Sequence, residues 1–167
     1  MEFETVLGLL PSDVRTRIDL IYVHSRMGIL NMTEKHVKEA LSMYPQDQEE
    51  LQTMGNLYFK KGRIDEALAS YQTAMNINPN LFFSYNNLGL VYFQKGDMVK
   101  AAESFEADLR QNPESHGVRF NLARAYETQG RKDLARKELQ KVLIATSKGD
   151  LNKNIYQAAQ KRLASLK

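Results

Sequence analysis

The side chains of this 167-residue sequence that could carry out a reaction are few, and their spacing argues against a reaction centre. There is no cysteine, which removes thiol catalysis, thiolate metal sites and disulfides together. The three histidines, His24, His36 and His116, do not build a recognisable ligand set with carboxylates at i, i+3 or i, i+4. Structural imidazoles, and no metal, are the expectation. No glycine-rich phosphate loop, G-x-S-x-G elbow or H-E-x-x-H helix is present. Asn31-Met32-Thr33 is formally a glycosylation sequon, but it stands where a helix should begin, so Asn31 is expected to cap that helix. No catalytic residue and no cofactor is predicted. Nothing in these side chains argues for an enzyme.

The elements that must hold those groups are written in the breakers. The four prolines, Pro11, Pro45, Pro79 and Pro113, are each 34 residues apart, and Gly28, Gly62, Gly96 and Gly130 follow them at 17 residues. Between breakers the apolar residues recur at helical spacing: Leu51, Met54, Gly55, Tyr58; then Ile64, Ala67, Leu68, Tyr71, Met75; then Met98, Ala101, Ala102, Phe105, Leu109. Each half period is therefore an amphipathic helix. Glycine provides the tight turn inside a pair, and proline separates pairs because it has no N–H with which to continue a helix. Asp65, Asp97 and Asp133 fall near the start of the second helices, where a carboxylate can cap free N–H groups or meet the positive dipole end.

With 43% hydrophobic and 26% charged residues, the composition is that of a folded protein. No run of 18 apolar residues could span a bilayer, and the start, MEFETVLGLLPSD, is acidic where a secretory signal would be basic. A cytoplasmic protein is expected, or a soluble fragment of a membrane-tethered one. The net charge of +3 is polarised: residues 131–167 carry ten Lys and Arg against three Asp and Glu, a net +7, which leaves −4 for residues 1–130. Those basic residues are interleaved with helical apolar spacing, so solvated helix faces are favoured over a phosphate-binding patch.

A helix-turn-helix period of 34 residues resembles the tetratricopeptide repeat family, which places Leu-Gly and Tyr in a first helix, Ala and Phe in a second, and Pro after it. The columns are filled by Gly55 and Gly89, Tyr58 and Tyr92, Ala67 and Ala101, Tyr71 and Phe105. A later unit keeps Leu122, Ala123, Tyr126, Ala135 and Leu139, with Ser147 in place of proline, and an earlier, degenerate one has Ile21, His24, Thr33 and Val37. The resemblance implies an all-α fold: a right-handed superhelical solenoid of antiparallel helix pairs with a C-terminal capping helix. The layout is a partial helix or cap over 1–13, a degenerate repeat over 14–47, repeats over 48–81, 82–115 and 116–149, and a capping helix over 150–167. The stripe Leu151, Ile155, Ala159, Leu163, Leu166 should cover the last pair. Small residues in the Gly and Ala columns let backbones approach closely, with Gly89 expected against the second helix near Ala101.

The resemblance also implies a non-enzymatic protein-interaction scaffold whose first helices line a concave groove for an extended peptide or partner helix. Helical geometry puts Asn56 and Phe59, with Gln52, Thr53 and Lys60, on that groove; then Phe83, Asn86, Asn87, Leu90 and Phe93; then Phe120, Asn121 and Arg124, with Glu127. Asn87 and Asn121 share a column, and in family members with such a ladder the amides pair with peptide backbone, one donor and one acceptor each. The alternatives are surface asparagines and rings that pack between repeats. The subgroup that clamps acidic chaperone tails is matched at Asn56 and Asn87, but its basic positions fall on Gln52, Gly117 and Asn121, which argues against that ligand. Three rival functions stand: a chaperone for secreted proteins, a self-assembling structural module, and nucleic-acid binding through the basic end with Lys153, Lys161 and Arg162. Self-association would involve Phe3, Val6 and Leu10, because FETVLGLLP reads as the tail of a second helix, either a native cap or the remnant of a cut repeat.

Overall fold

The computed structural model describes residues 16, 20, 21, 23, 24, 27–43, 47–78, 84–146 and 153–166. The chain divides into two compact units, 1–81 and 82–167. The secondary structure of the described residues is helical. In the N-terminal unit, α1 is Leu30–Met43, α2 is Gln48–Lys60 and α3 is Ile64–Ile77; in the C-terminal unit, α4 is Ser84–Lys95, α5 Met98–Gln111, α6 His116–Thr128, α7 Lys132–Thr146 and α8 Lys153–Ser165. The expected all-α solenoid of helix pairs is the observed fold class.

The half-period glycines close the pairs as their chemistry requires. Gly96 has φ +81°, its N–H donates to the Phe93 carbonyl at 3.2 Å, and the next N–H, of Asp97, reaches back to the Tyr92 carbonyl at 3.0 Å. This bond pair satisfies the last carbonyls of α4 and needs a residue without Cβ strain in the left-handed region. The same two bonds recur at Gly62 and Gly130. Pro113 lies just beyond α5, in the connection to α6; the other three prolines lie outside the described residues. Asp97 then caps α5, accepting from the Lys100 N–H at 3.1 Å, and Asp47 caps α2, accepting from the N–H groups of Glu49 and Glu50 at 3.1 and 3.2 Å. Asp65 and Asp133 stand in the first turns of α3 and α7 rather than at caps.

Asn31 does not cap α1. The turn at Gly28 starts that helix at Leu30, so Asn31 lies inside its first turn, exposed, and its Oδ1 accepts from Lys61 Nζ at 3.1 Å. Nearby Glu34 receives Lys38 at 2.7 Å, Arg63 at 3.1 Å and Lys61 as well. Hydrogen bonds from Lys38 and Lys61 hold its carboxyl down at about 2. This group ties α1 to the turn after α2.

Packing follows the small-residue columns. A methyl group at Gly89 would come within 3.0 Å of three atoms of the Phe105 ring, and one at Gly55 equally close to the Tyr71 ring. What stands nearest Gly89 is the Phe105 ring, one turn along α5 from Ala101. At the corresponding positions of α6 and α7 stand Ala123 and Leu139, both fully buried. Where the first helix gains a methyl group, the second gives up a ring. Within the C-terminal unit α5 packs on both α4 and α6, α7 packs on α6, and α8 packs on α7. One core runs through them, including Phe105, Leu122, Leu139, Val142 and Ala159. In the N-terminal unit α2 packs on both α1 and α3, and Ile21, Val37, Ala40, Met54 and Leu57 form a smaller core.

Glu50 of α2 is a buried carboxyl group in that unit. It is 7% exposed and its Oε2 has no hydrogen-bond partner. Burial, then the charges of Asp47 and Glu49, push its carboxyl up to about 7. A carboxyl whose folded pKa is raised favours folding below its unfolded value, near 4.5, and that contribution is lost as pH rises through about 7. Glu50→Gln is therefore expected to match the parent at pH ~4.5 and to exceed it at pH ~8 by on the order of 1 to 3 kcal/mol. Urea unfolding at the two pH values checks this; a constant difference between the chains would remove the carboxyl as its cause.

Candidate functional site

Helices α4, α6 and α8 are neighbours in the C-terminal unit, and the predicted groove residues of that unit that fall among the described residues lie on the first two of them. Leu90 and Phe93 of α4 and Phe120 of α6 are half-buried and pack against the core. A guanidinium group lies over each of the two rings. Arg124 Cζ lies 4.6 Å from the centre of the Phe93 ring, and Arg162 Cζ of α8 lies 5.8 Å from that of Phe120. Arg162 donates from Nη1 to Glu127 Oε2, whereas Glu127 Oε1 is buried with no hydrogen-bond partner. Arg124 Nη1 points to Asn121 Oδ1 at 3.4 Å, long for a hydrogen bond. Burial, and then the charge of Arg162, lower the pKa of Arg124, with Glu127 opposing. Two cations, one carboxylate, an amide and two aromatic faces therefore converge on neighbouring helices.

The remaining predicted residues are placed as follows. Asn87 is half-buried and already engaged in an interaction. Asn86 sits at the start of α4, where its N–H donates to Asp108 Oδ2 at 3.1 Å; its own Oδ1 is buried without a hydrogen-bond partner. Phe83 lies outside the described residues. In the N-terminal unit Phe59 is half-buried, and Asn56 is exposed with its Oδ1 accepting from the Tyr71 hydroxyl at 2.6 Å. That bond fixes the orientation of the Asn56 amide. His24 and His36 stack, centroids 5.4 Å apart, and no group of three or more metal-ligating side chains occurs among the described residues.

Arg162 was expected only at the basic end, not on this face. The signal that could have placed it is its position in α8, three residues after fully buried Ala159 and four before buried Leu166. That spacing puts its side chain at the margin of the packed stripe, where it can turn onto α6.

Helix pairs closed by left-handed glycines, with rings seated on small residues of the facing helix, define a helical-repeat protein of the interaction-scaffold class. The chain belongs to the tetratricopeptide repeat family: one TPR repeat profile matches residues 55–96 and a second, described as tetratricopeptide repeat, matches residues 86–150. No functionally curated protein gives a significant sequence match. Among solved structures, MamA is similar at 26% identity and a TM-score of 0.82, over 87% of this chain and 85% of that one. A thermophilic TPR protein of Thermus thermophilus aligns over 98% of this chain and 86% of its own, at 23% identity and a TM-score of 0.70. YrrB, described as a TPR protein with an unusual peptide-binding site, aligns over 87% of this chain and 75% of its own, at 17% identity and a TM-score of 0.76. Such proteins act as a class through protein–protein contacts rather than by catalysis. No helix among the described residues is long and apolar enough to cross a membrane.

Proposed function

We propose that this protein is a non-enzymatic scaffold that holds an extended peptide segment of a partner protein, with the face of α4, α6 and α8 as a principal contact. The observation that carries this is Arg124 lying over the half-buried Phe93 ring with Asn121 beside it, on the helix that also carries the half-buried Phe120. An apolar floor with a few placed polar groups suits a peptide: the rings take side chains, and the amides meet backbone donors and acceptors. Asn87 and Asn121 are the amides assigned to that backbone role. The fold likeness to YrrB, itself described with a peptide-binding site, is in keeping with this use.

The nucleic-acid alternative is weakened by the pairing at the basic end. Arg136 bonds Asp133 at 3.1 Å, Lys141 bonds Glu138 at 2.7 Å, and Arg119 bonds Glu138 at 2.8 Å. These cations are partly neutralised at home, while Lys153 and Lys161 stand exposed on α8.

The test uses a peptide selected from a random displayed library on the intact chain, together with a single-stranded DNA oligonucleotide. Asn121→Ala is expected to weaken the peptide by about 0.5 to 1.5 kcal/mol while leaving the melting temperature nearly unchanged. Replacing Lys153 and Lys161 with Gln should leave the peptide untouched. DNA binding that falls steeply with salt and is lost only in the lysine variant, with no peptide recovered, would overturn the reading.

A further inference from the structure

We infer that the peptide bound on this face contributes the side-chain carboxylate of an aspartate or glutamate, and that Arg124 is the residue that receives it. The inference rests on the peptide-binding reading above and names the chemistry of its partner.

Arg124 is a cation without an ion pair among the described residues. Its guanidinium lies with Phe93 against it, at 4.6 Å, and its one recorded hydrogen-bond contact is the 3.4 Å approach to Asn121 Oδ1. Glu127, the nearby carboxylate, is bonded by Arg162 through Oε2. Two guanidiniums and one carboxylate thus stand together, only one of the two is paired, and the cluster keeps a net positive charge. Other arginines of the unit are matched: Arg119 of α6 with Glu138 at 2.8 Å and Arg136 of α7 with Asp133 at 3.1 Å. Exposed Arg131 lies over the Tyr126 ring, whereas Arg124 is half-buried and the carboxylate one turn along its helix, Glu127, is bonded by Arg162 instead. A planar guanidinium stacked on a ring keeps its N–H edge available, and that edge fits a carboxylate with two parallel bonds. A neutral or basic peptide would leave the charge uncompensated or add to it.

A side-chain carboxylate is favoured over a chain terminus by the two asparagines. Asn87 and Asn121 stand on successive first helices of the unit, so a peptide whose backbone meets both amides runs across α4 and α6 and offers Arg124 a side chain rather than its end. This arrangement is separate from the chaperone-tail clamp, whose basic positions hold Gln52, Gly117 and Asn121 in this chain.

The experiment selects random peptides, displayed with no free C terminus, on the intact chain and on its Arg124→Gln and Glu127→Gln variants. A recovered peptide is then synthesised with an amidated C terminus, beside an analogue with its Asp or Glu changed to Asn or Gln. The intact chain should enrich acidic residues. Arg124→Gln should weaken the acidic peptide by about tenfold or more and leave the neutral analogue nearly unchanged. Glu127→Gln removes the competing carboxylate and should tighten the acidic peptide several-fold, a gain that a damaged fold would not produce. Peptides without acidic preference, equal loss of both analogues in Arg124→Gln, or binding that requires a free C-terminal carboxylate would each overturn the inference while peptide binding stood. Recovery of no peptide from any chain would overturn the peptide-binding reading and this inference with it.

Discussion

Gly89→Leu is expected to destabilise the C-terminal unit by about 3 kcal/mol or more, although leucine is the better helix former by roughly 0.8 kcal/mol. The reason is contact at the first side-chain atom. A Cβ at Gly89 meets the Phe105 ring inside 3.0 Å, and that ring is fully buried, with no exposed end to swing away. Even Gly89→Ala should be costly here, where in an exposed helix it would stabilise. Phe105→Leu opens the space at the cost of a partial cavity. The double variant Gly89→Ala/Phe105→Leu reproduces the combination that stands at Ala123 and Leu139, and should be less destabilised than the sum of its single changes. Urea unfolding of the four chains measures that coupling. A Gly89→Leu chain as stable as the parent would mean that the two helices do not approach here.

Much of this was legible in the sequence because breakers and small residues act locally. Glycine with φ > 0 and proline between pairs set the helix ends whatever surrounds them, so Gly62, Gly96 and Gly130 could be read as turns. Size columns were legible for the same reason, since Gly55, Gly89 and Ala123 can be explained only by what they must touch. That the Phe105 ring, one turn beyond Ala101, is what a side chain at Gly89 would meet first is set by how far the ring reaches rather than by periodicity. Asn31 was misread because local capping propensity competes with the turn at Gly28, which had already fixed the first residue of α1.

The candidate site was less legible. Sequence spacing identifies which residues share a helix face, so Phe93, Phe120, Asn121 and Arg124 could be named as a group. It does not say which charges pair. Arg162 bonding to Glu127, and the resulting lack of a carboxylate partner for Arg124, depend on how α8 lies against α6, a property of tertiary packing. The raised carboxyl of Glu50 was illegible for a similar reason: Gln48-Glu49-Glu50 reads as an ordinary acidic first turn until burial singles out the third residue.

The helix that supplies Arg162 also closes the hydrophobic core, so structure and binding should fail together when it is removed. Truncation after Gly149 takes away Ala159, fully buried, and Leu166, 7% exposed, together with the half-buried Ile155 and Leu163 that pack beside them. It also removes the Leu166 carbonyl that accepts from Arg136 Nη2 at 2.6 Å, and the bond from Arg162 to Glu127. Val142 and Leu139, now fully buried, belong to the core face that α8 helps to cover. At about 25 cal/mol per Å² of apolar surface returned to water, the expected loss is several kcal/mol, a fall in melting temperature on the order of 10 °C. Ala159→Asp should act in the same direction in the full-length chain, by placing a charge in that seam. The effect on binding separates the two roles of α8. Without Arg162, Glu127 is free to turn its carboxylate toward Arg124, so an acidic peptide should bind the truncated chain more weakly than stability alone accounts for. Arg162→Gln in the full-length chain should reproduce the weaker peptide binding with little of the thermal loss, because its bond lies at the partly exposed margin of the core. A truncated chain that melts with the parent would show α8 to be a loose tail and would remove it from both the core and the site.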